Sequence, residues 1–128
     1  MQYYYSTTVE QSFDEAIENV TGALGNEGFG ILSDIDVQGT FQKKLDVDFR
    51  KYRILGACNP SFAHKALQAE DKIGTMLPCN VIVQELQGGK VEVAAVDPVA
   101  SMSAVESPTL QNVAEQIRSK LRKALDTL

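Results

Sequence analysis

The chain lacks several features that mark common classes of enzyme. It has no tryptophan, one histidine and two cysteines among its 128 residues. A single histidine leaves little scope for general acid–base chemistry near neutral pH, because no other unperturbed side chain titrates there. The sequence also has no Cys-x-x-Cys pair, no nucleophile elbow and no phosphate-binding glycine loop. We therefore expect neither an ordinary hydrolase or kinase nor a thioredoxin-like enzyme.

Long apolar runs and excess positive charge are absent too. No segment approaches the ~18 consecutive apolar residues of a membrane span, so we expect no membrane partner. The formal net charge of −5 argues against a nucleic-acid partner, because such binding depends on neutralising phosphates with basic side chains. Residues 1–7 have neither a basic start nor an apolar core. We therefore expect no signal peptide, a cytoplasmic location and reduced thiols.

The patterns that are present predict a single domain over residues 1–128. Ser12 and Glu15 have capping-box spacing before a helix that begins near Phe13. Pro108, after Ser107, opens a final helix in a similar way. Alternating apolar residues and turn signals, including Gln87-Gly88-Gly89, predict five strands, at residues 3–9, 29–35, 49–58, 77–86 and 90–96. The fold class is α+β, with a single layer of helices packed on one face of a mainly antiparallel sheet.

Two further predictions concern burial. Phe29, Ile31 and Ile35 alternate with Gly30, Leu32 and Asp34, which predicts a second strand with one strongly buried face. A short helix is expected from Gly39 to Leu45. The final helix carries an apolar stripe that serves either the core or a partner subunit, formed by Leu110, Val113, Ile117 and Leu121.

Two cysteines, each followed by asparagine, are the most specialised feature of the chain. Cys58 precedes Asn59 and Pro60, a pair typical of a helix N-cap followed by proline at the first helical position. A thiol at that place lies near the positive end of the helix dipole, which favours thiolate. Cys79 begins a central-looking strand on the same face as Val81. If the two strands are neighbours, the thiols come close together.

Simpler interpretations exist for each of these residues. Free cysteines are often small buried hydrophobic residues. His64 lies in the helix after Pro60, and Cys58, His64 and Cys79 could form a three-ligand metal site, but their spacing is not a recognised zinc pattern. We therefore assign no metal. Asn80 alternates away from the face of Cys79.

The chain resembles the domain of unknown function 302 family from Phe13 to Leu125. The resemblance rests on Gly28-Phe29-Gly30, the segment from Tyr52 to Pro60, Ala63-His64-Lys65-Ala66-Leu67, and the segment from Leu77 to Val83. It implies a TATA-binding-protein-like arrangement and a homodimer. It implies no reaction, cofactor or catalytic residue, and the fold grouping does not bring DNA binding with it.

Two functional classes remain open. The first is a non-catalytic dimeric module that binds a small ligand near the two Cys-Asn motifs, with Cys58, Asn59, His64, Cys79 and Asn80 as candidate ligand-binding or reactive residues. The second is a thiol-dependent redox or sulfur-handling protein that uses one or both cysteines. We favour the first. The cofactor, if any, is unknown.

Overall fold

The structure, a computed structural model, describes residues 2–128 and contains one five-stranded antiparallel sheet. Its strands lie in the order β1-β5-β4-β3-β2, so β4 is central. The strand bounds are β1 Tyr4–Val9, β2 Gly30–Asp36, β3 Tyr52–Cys58, β4 Cys79–Glu85 and β5 Val91–Val96. The predicted α+β class is confirmed.

The principal helices pack on one face of this sheet. They are α1 Phe13–Asn26, α3 Pro60–Ala69 and α5 Pro108–Asp126, and α5 contacts both of the others. Three short elements complete the chain: α2 Val37–Leu45, a 3-10 helix Asp71–Met76 and α4 Pro98–Ser101. The 3-10 helix and α4 have no counterpart among the sequence predictions.

Local capping explains where the long helices begin. The Ser12 hydroxyl accepts a hydrogen bond from the backbone N–H of Glu15 at 3.2 Å, and the Glu15 carboxylate accepts one from the N–H of Ser12 at 3.4 Å. This is the predicted capping box, in which each residue satisfies an N–H that the helix leaves free. Ser107 caps α5 in the same manner, accepting from the N–H of Leu110 at 3.2 Å.

The core lies between the sheet and the helix layer. The α5 stripe is buried inside the single chain, with Leu110 at 0% and Leu121 at 1% exposure. The stripe therefore serves the core and is not available to a partner subunit. Across the sheet, Val81 and Val83 of β4 and Val93 of β5 are fully buried at its centre. These residues alternate along their strands, as one buried sheet face requires.

The prediction of a strongly buried face on the second strand is wrong beyond Ile31. Phe29 is buried and Ile31 packs against the core, but β2 is an edge strand whose register shifts between Ile31 and Ser33. The shift places Ile35 on the face away from the helices, where it is 49% exposed. Asp34 and Asp36 take the later helix-side positions of β2 and stay exposed, and Arg53 of β3 lies 3.0 Å from the carboxylate of Asp34.

The short helix at residues 39–45 was predicted two residues too late. Its N-cap is Asp36, whose carboxylate accepts a hydrogen bond from the N–H of Gly39 at 3.0 Å. No residue of α2 is buried. Along the part of the chain that the structure describes, no helix has the length and apolar character needed to cross a membrane.

Candidate functional site

The two cysteine motifs meet because their strands are neighbours. β3 and β4 pair antiparallel, and Ala57 lies opposite Cys79 in the register. Cys58 is the next residue along β3 and its last one. The sequence hypothesis that the two thiols come close depended on this adjacency, and the sheet has it. Both cysteines are free thiols.

A cavity of about 300 Å³ lies at this end of the sheet, beneath the helix layer, and is partly open to solvent. Cys58, Asn59 and Cys79 line its sheet end. The facing walls are apolar side chains of the helices, namely Phe62, Ala63 and Ala66 of α3 with Val113, Ala114 and Ile117 of α5. Small alanines face the space from both helices, which leaves it unfilled.

Cys79 is a protonated, apolar part of this wall at neutral pH. Its side chain is 7% exposed. Burial raises the pKa of the Cys79 thiol from 9.0 to about 11, and a charge on the nearby Cys58 adds to the increase. A thiolate is disfavoured there because burial penalises the charged form. Cys79 is therefore better suited to packing against an apolar ligand than to nucleophilic attack.

Asn59 occupies the N-cap position of α3, with Pro60 at the first helical position, but its side chain does not cap the helix. The cap hydrogen bond expected from the sequence is thus absent. The Nδ2 of Asn59 instead donates to the backbone oxygen of Glu27 at 3.3 Å. This bond joins the turn between β3 and α3 to the end of α1, and it fixes one edge of the cavity.

His64 and Asn80 do not join the other candidates. His64 is exposed on α3 and does not line the cavity. Asn80 is also exposed, and the period of two along β4 directs it to the sheet face opposite Cys79. Within residues 2–128, no three histidine, cysteine or acidic side chains are grouped to hold a metal ion. The three-ligand hypothesis for Cys58, His64 and Cys79 therefore finds no support.

The sequence predictions missed the helical half of the site. Phe62, Ala63 and Ala66 lie at helical spacing on the apolar side of α3, but they are not among the candidate residues drawn from the sequence. In the structure the same side forms a cavity wall rather than a close-packed surface. The one available signal was the pair of alanines on that apolar side, because small side chains can leave space between packed helices.

Comparison with solved structures identifies a relative with the same fold. The crystal structure of an uncharacterized conserved DUF302 protein from Bacillus stearothermophilus has a TM-score of 0.92 to this chain and 29% sequence identity, over 98% of each chain. No curated protein matches the chain. The family model for the domain of unknown function DUF302 matches residues 5–128. Because that match spans nearly the whole fold, including both cysteine motifs, the chain belongs to the DUF302 family.

Proposed function

We propose that this protein is a non-catalytic, homodimeric module that binds a small apolar ligand in the cavity beside Cys58 and Cys79. The observation that carries the proposal is the cavity itself, with its volume of about 300 Å³ and its almost wholly apolar lining. Small-molecule sites occupy about 300–1,000 Å³ and are mostly apolar with a few polar groups. Here the polar groups are the half-buried Cys58 thiol and the Asn59 amide.

The alternative is a thiol-dependent redox or sulfur-handling protein that uses Cys58, Cys79 or both. It is supported by the two free thiols at the ends of paired strands, both of which line the same cavity. The raised pKa of Cys79, about 11, favours the binding module, because the reactive form of cysteine is the thiolate. The exposed position of His64 also leaves the thiols without a histidine base.

Fluorescence titration with the neutral apolar probe N-phenylnaphthylamine tests the ligand-binding proposal. The wild-type protein should enhance the probe's emission in a saturable way. Ala63→Phe places a ring in the cavity wall and should abolish the enhancement. Ala69→Phe, on the same helix but outside the cavity lining, is the matched control and should bind the probe normally. Equal enhancement by both variants would show that the cavity is not the site.

The dimer is proposed to form through the open face of the sheet. Ile35, Ile54 and Ile82 lie side by side in the register of β2, β3 and β4. Their buried neighbours Leu55 and Val81 face the helices, so the isoleucines face away from them. This row is termed the isoleucine row. A twofold axis through it would bring the same apolar patch of each subunit together, as symmetric dimers require.

The α2 helix supports the same interface. It has nine residues and none of them is buried, although isolated helices shorter than about 12–15 residues are marginal in water. Phe41 of α2 stacks edge-on against Phe49 at 5.1 Å, and Phe49 lies 6.3 Å from Tyr52, which neighbours Ile54 on the open face. A second subunit on this face would bury α2 and explain its exposed apolar residues. We propose no nucleic-acid partner, given the net charge of −5.

A further inference from the structure

Two lysines flank the aromatic ring at the edge of the cavity. The Nζ of Lys65 on α3 lies 5.5 Å from the centre of the Phe62 ring, and the Nζ of Lys120 on α5 lies 5.9 Å from it. Phe62 lines the cavity and is half-buried, so its ring spans the boundary between the cavity and solvent. Neither lysine lines the cavity itself, but both ammonium groups lie within 6 Å of the centre of a ring that does, next to the cavity's edge. This edge is termed the rim.

Neither ammonium group has an ion-pair partner in the part of the chain that the structure describes. The ion pairs found among residues 2–128 include neither Lys65 nor Lys120. Phe62 lies in the first turn of α3, so the N-terminus of this helix is beside the same ring. That N-terminus has no side-chain cap, because the Asn59 amide bonds to Glu27 instead. Helix N-termini favour negative charge. The protein as a whole carries a net charge of −5, so the positive charge at this rim is opposite in sign to the net charge of the protein.

We infer that the ligand is an aliphatic carboxylate whose hydrocarbon chain fills the cavity and whose carboxylate lies at the rim between Lys65 and Lys120. This inference rests on the proposed ligand-binding function and adds the ligand's chemical class. The interior offers almost no polar surface, so the buried part of the ligand must be hydrocarbon. The rim offers two cations, so the exposed end must be an anion.

The volume of the cavity suits a ligand of modest size. At about 300 Å³ it lies at the small end of the range for small-molecule sites, about 300–1,000 Å³, which favours a hydrocarbon chain of medium length. Decanoate is therefore the test ligand, and decanol is the matched neutral ligand. At pH 7.5 the carboxylate is ionised, since carboxyl groups of this kind titrate near pH 4.

Calorimetric titration of the full chain with both compounds tests the inference. The wild-type protein should bind decanoate about fivefold more tightly than decanol at low salt, as expected for two solvent-facing ion pairs. The double variant Lys65→Gln/Lys120→Gln should lose that preference and bind decanol unchanged. The control Lys72→Gln/Lys90→Gln removes two exposed lysines that lie outside the cavity lining, and should keep the preference.

The possible failures are distinguishable. Equal binding of decanoate and decanol by the wild type, or a preference that persists in Lys65→Gln/Lys120→Gln, would overturn the carboxylate assignment and leave the cavity as an apolar site. Binding of N-phenylnaphthylamine without binding of either ten-carbon compound would also overturn the ligand class. Failure of all three to bind would overturn the proposed function itself.

Discussion

Asn59 donates a hydrogen bond from Nδ2 to the backbone oxygen of Glu27, across 32 positions of sequence. Glu27 is the C-cap of α1, and Asn59 begins the turn into α3. The bond therefore connects two helices of the layer at the edge of the cavity. Gly28 makes the approach possible, because a Cβ on it would lie 3.0 Å from the Asn59 Nδ2.

Gly28→Ala should destabilise the protein by about 1–3 kcal/mol. Gly28 has a φ of +88°, a left-handed conformation that disfavours any side chain, and the added methyl group would also press on Asn59. Gly25→Ala is the control, since nothing lies within 4 Å of its Cβ position and it sits inside α1. That variant should be neutral or stabilised by up to about 1 kcal/mol. Urea unfolding measures both, and equal stabilities would contradict the tight contact.

Stability should fall with pH between about 9 and 11 through the Cys79 thiol. Its pKa is about 11 in the folded protein against 9.0 for an ordinary thiol. Below pH 9 both states hold the proton, and the contribution is intact. As the pH rises, the unfolded chain ionises first, which favours unfolding. The wild type should lose up to about 2–3 kcal/mol more than Cys79→Ala by pH 11, at 1.36 kcal/mol for each pH unit of difference.

Urea unfolding of both proteins at pH 7, 9, 10 and 11 measures this difference. Lysines and tyrosines titrate in the same range, but they are common to both proteins and cancel in the comparison. Cys79→Ala itself should be less stable at pH 7, because it leaves space in a buried wall. Parallel stability curves for the two proteins would show that Cys79 is not buried from solvent as the structure has it.

Local signals predicted most of the fold because they act within a few residues. The capping box of Ser12 and Glu15 and the cap of Ser107 followed by Pro108 each involve only the first turn of a helix, and both are found as predicted. The central position of Cys79's strand also followed from its apolar residues. The exposure of Ile35 did not, because a register shift between Ile31 and Ser33 puts Ile31 and Ile35 on opposite faces of the sheet, and alternation alone predicts one face for both.

The site was harder to predict than the fold. Cys58 and Cys79 could be paired in advance only on the assumption that their strands are adjacent. The partner of Asn59 lies in another helix, so its sequence context indicated only a cap. The cavity depends on how far apart α3 and α5 pack, and neighbouring residues along the chain do not encode that distance. The position of Lys120 beside Phe62 also depends on how α5 packs against α3, so the sequence did not indicate it.

A charge in the isoleucine row should dissociate the proposed dimer. Ile54→Glu/Ile82→Glu places two carboxylates in the centre of the open sheet face, where a symmetric contact would set them against their own copies. The variant should be monomeric by light scattering at concentrations where the wild type is dimeric. Met76→Glu is the control, because Met76 is 40% exposed on the 3-10 helix. A wild-type protein found only at its 14.0 kDa chain mass would contradict the dimer.

Thiol reagents should distinguish the binding module from the thiol-dependent alternative. Cys58 is half-buried at the cavity, whereas Cys79 is buried, so Cys58 should react first with a maleimide at pH 7.5.

With N-phenylnaphthylamine at ten times its Kd, about one tenth of the protein is unliganded, and the reaction of Cys58 with the maleimide should slow about tenfold. Ala63→Phe should remove this protection, and Ala69→Phe should retain it. Mass spectrometry identifies which cysteine is modified and gives the rate. Cys58→Ser should change stability by only about 1 kcal/mol. If Cys79 reacts as readily as Cys58, and the probe protects neither, the thiols themselves become the better explanation of the site.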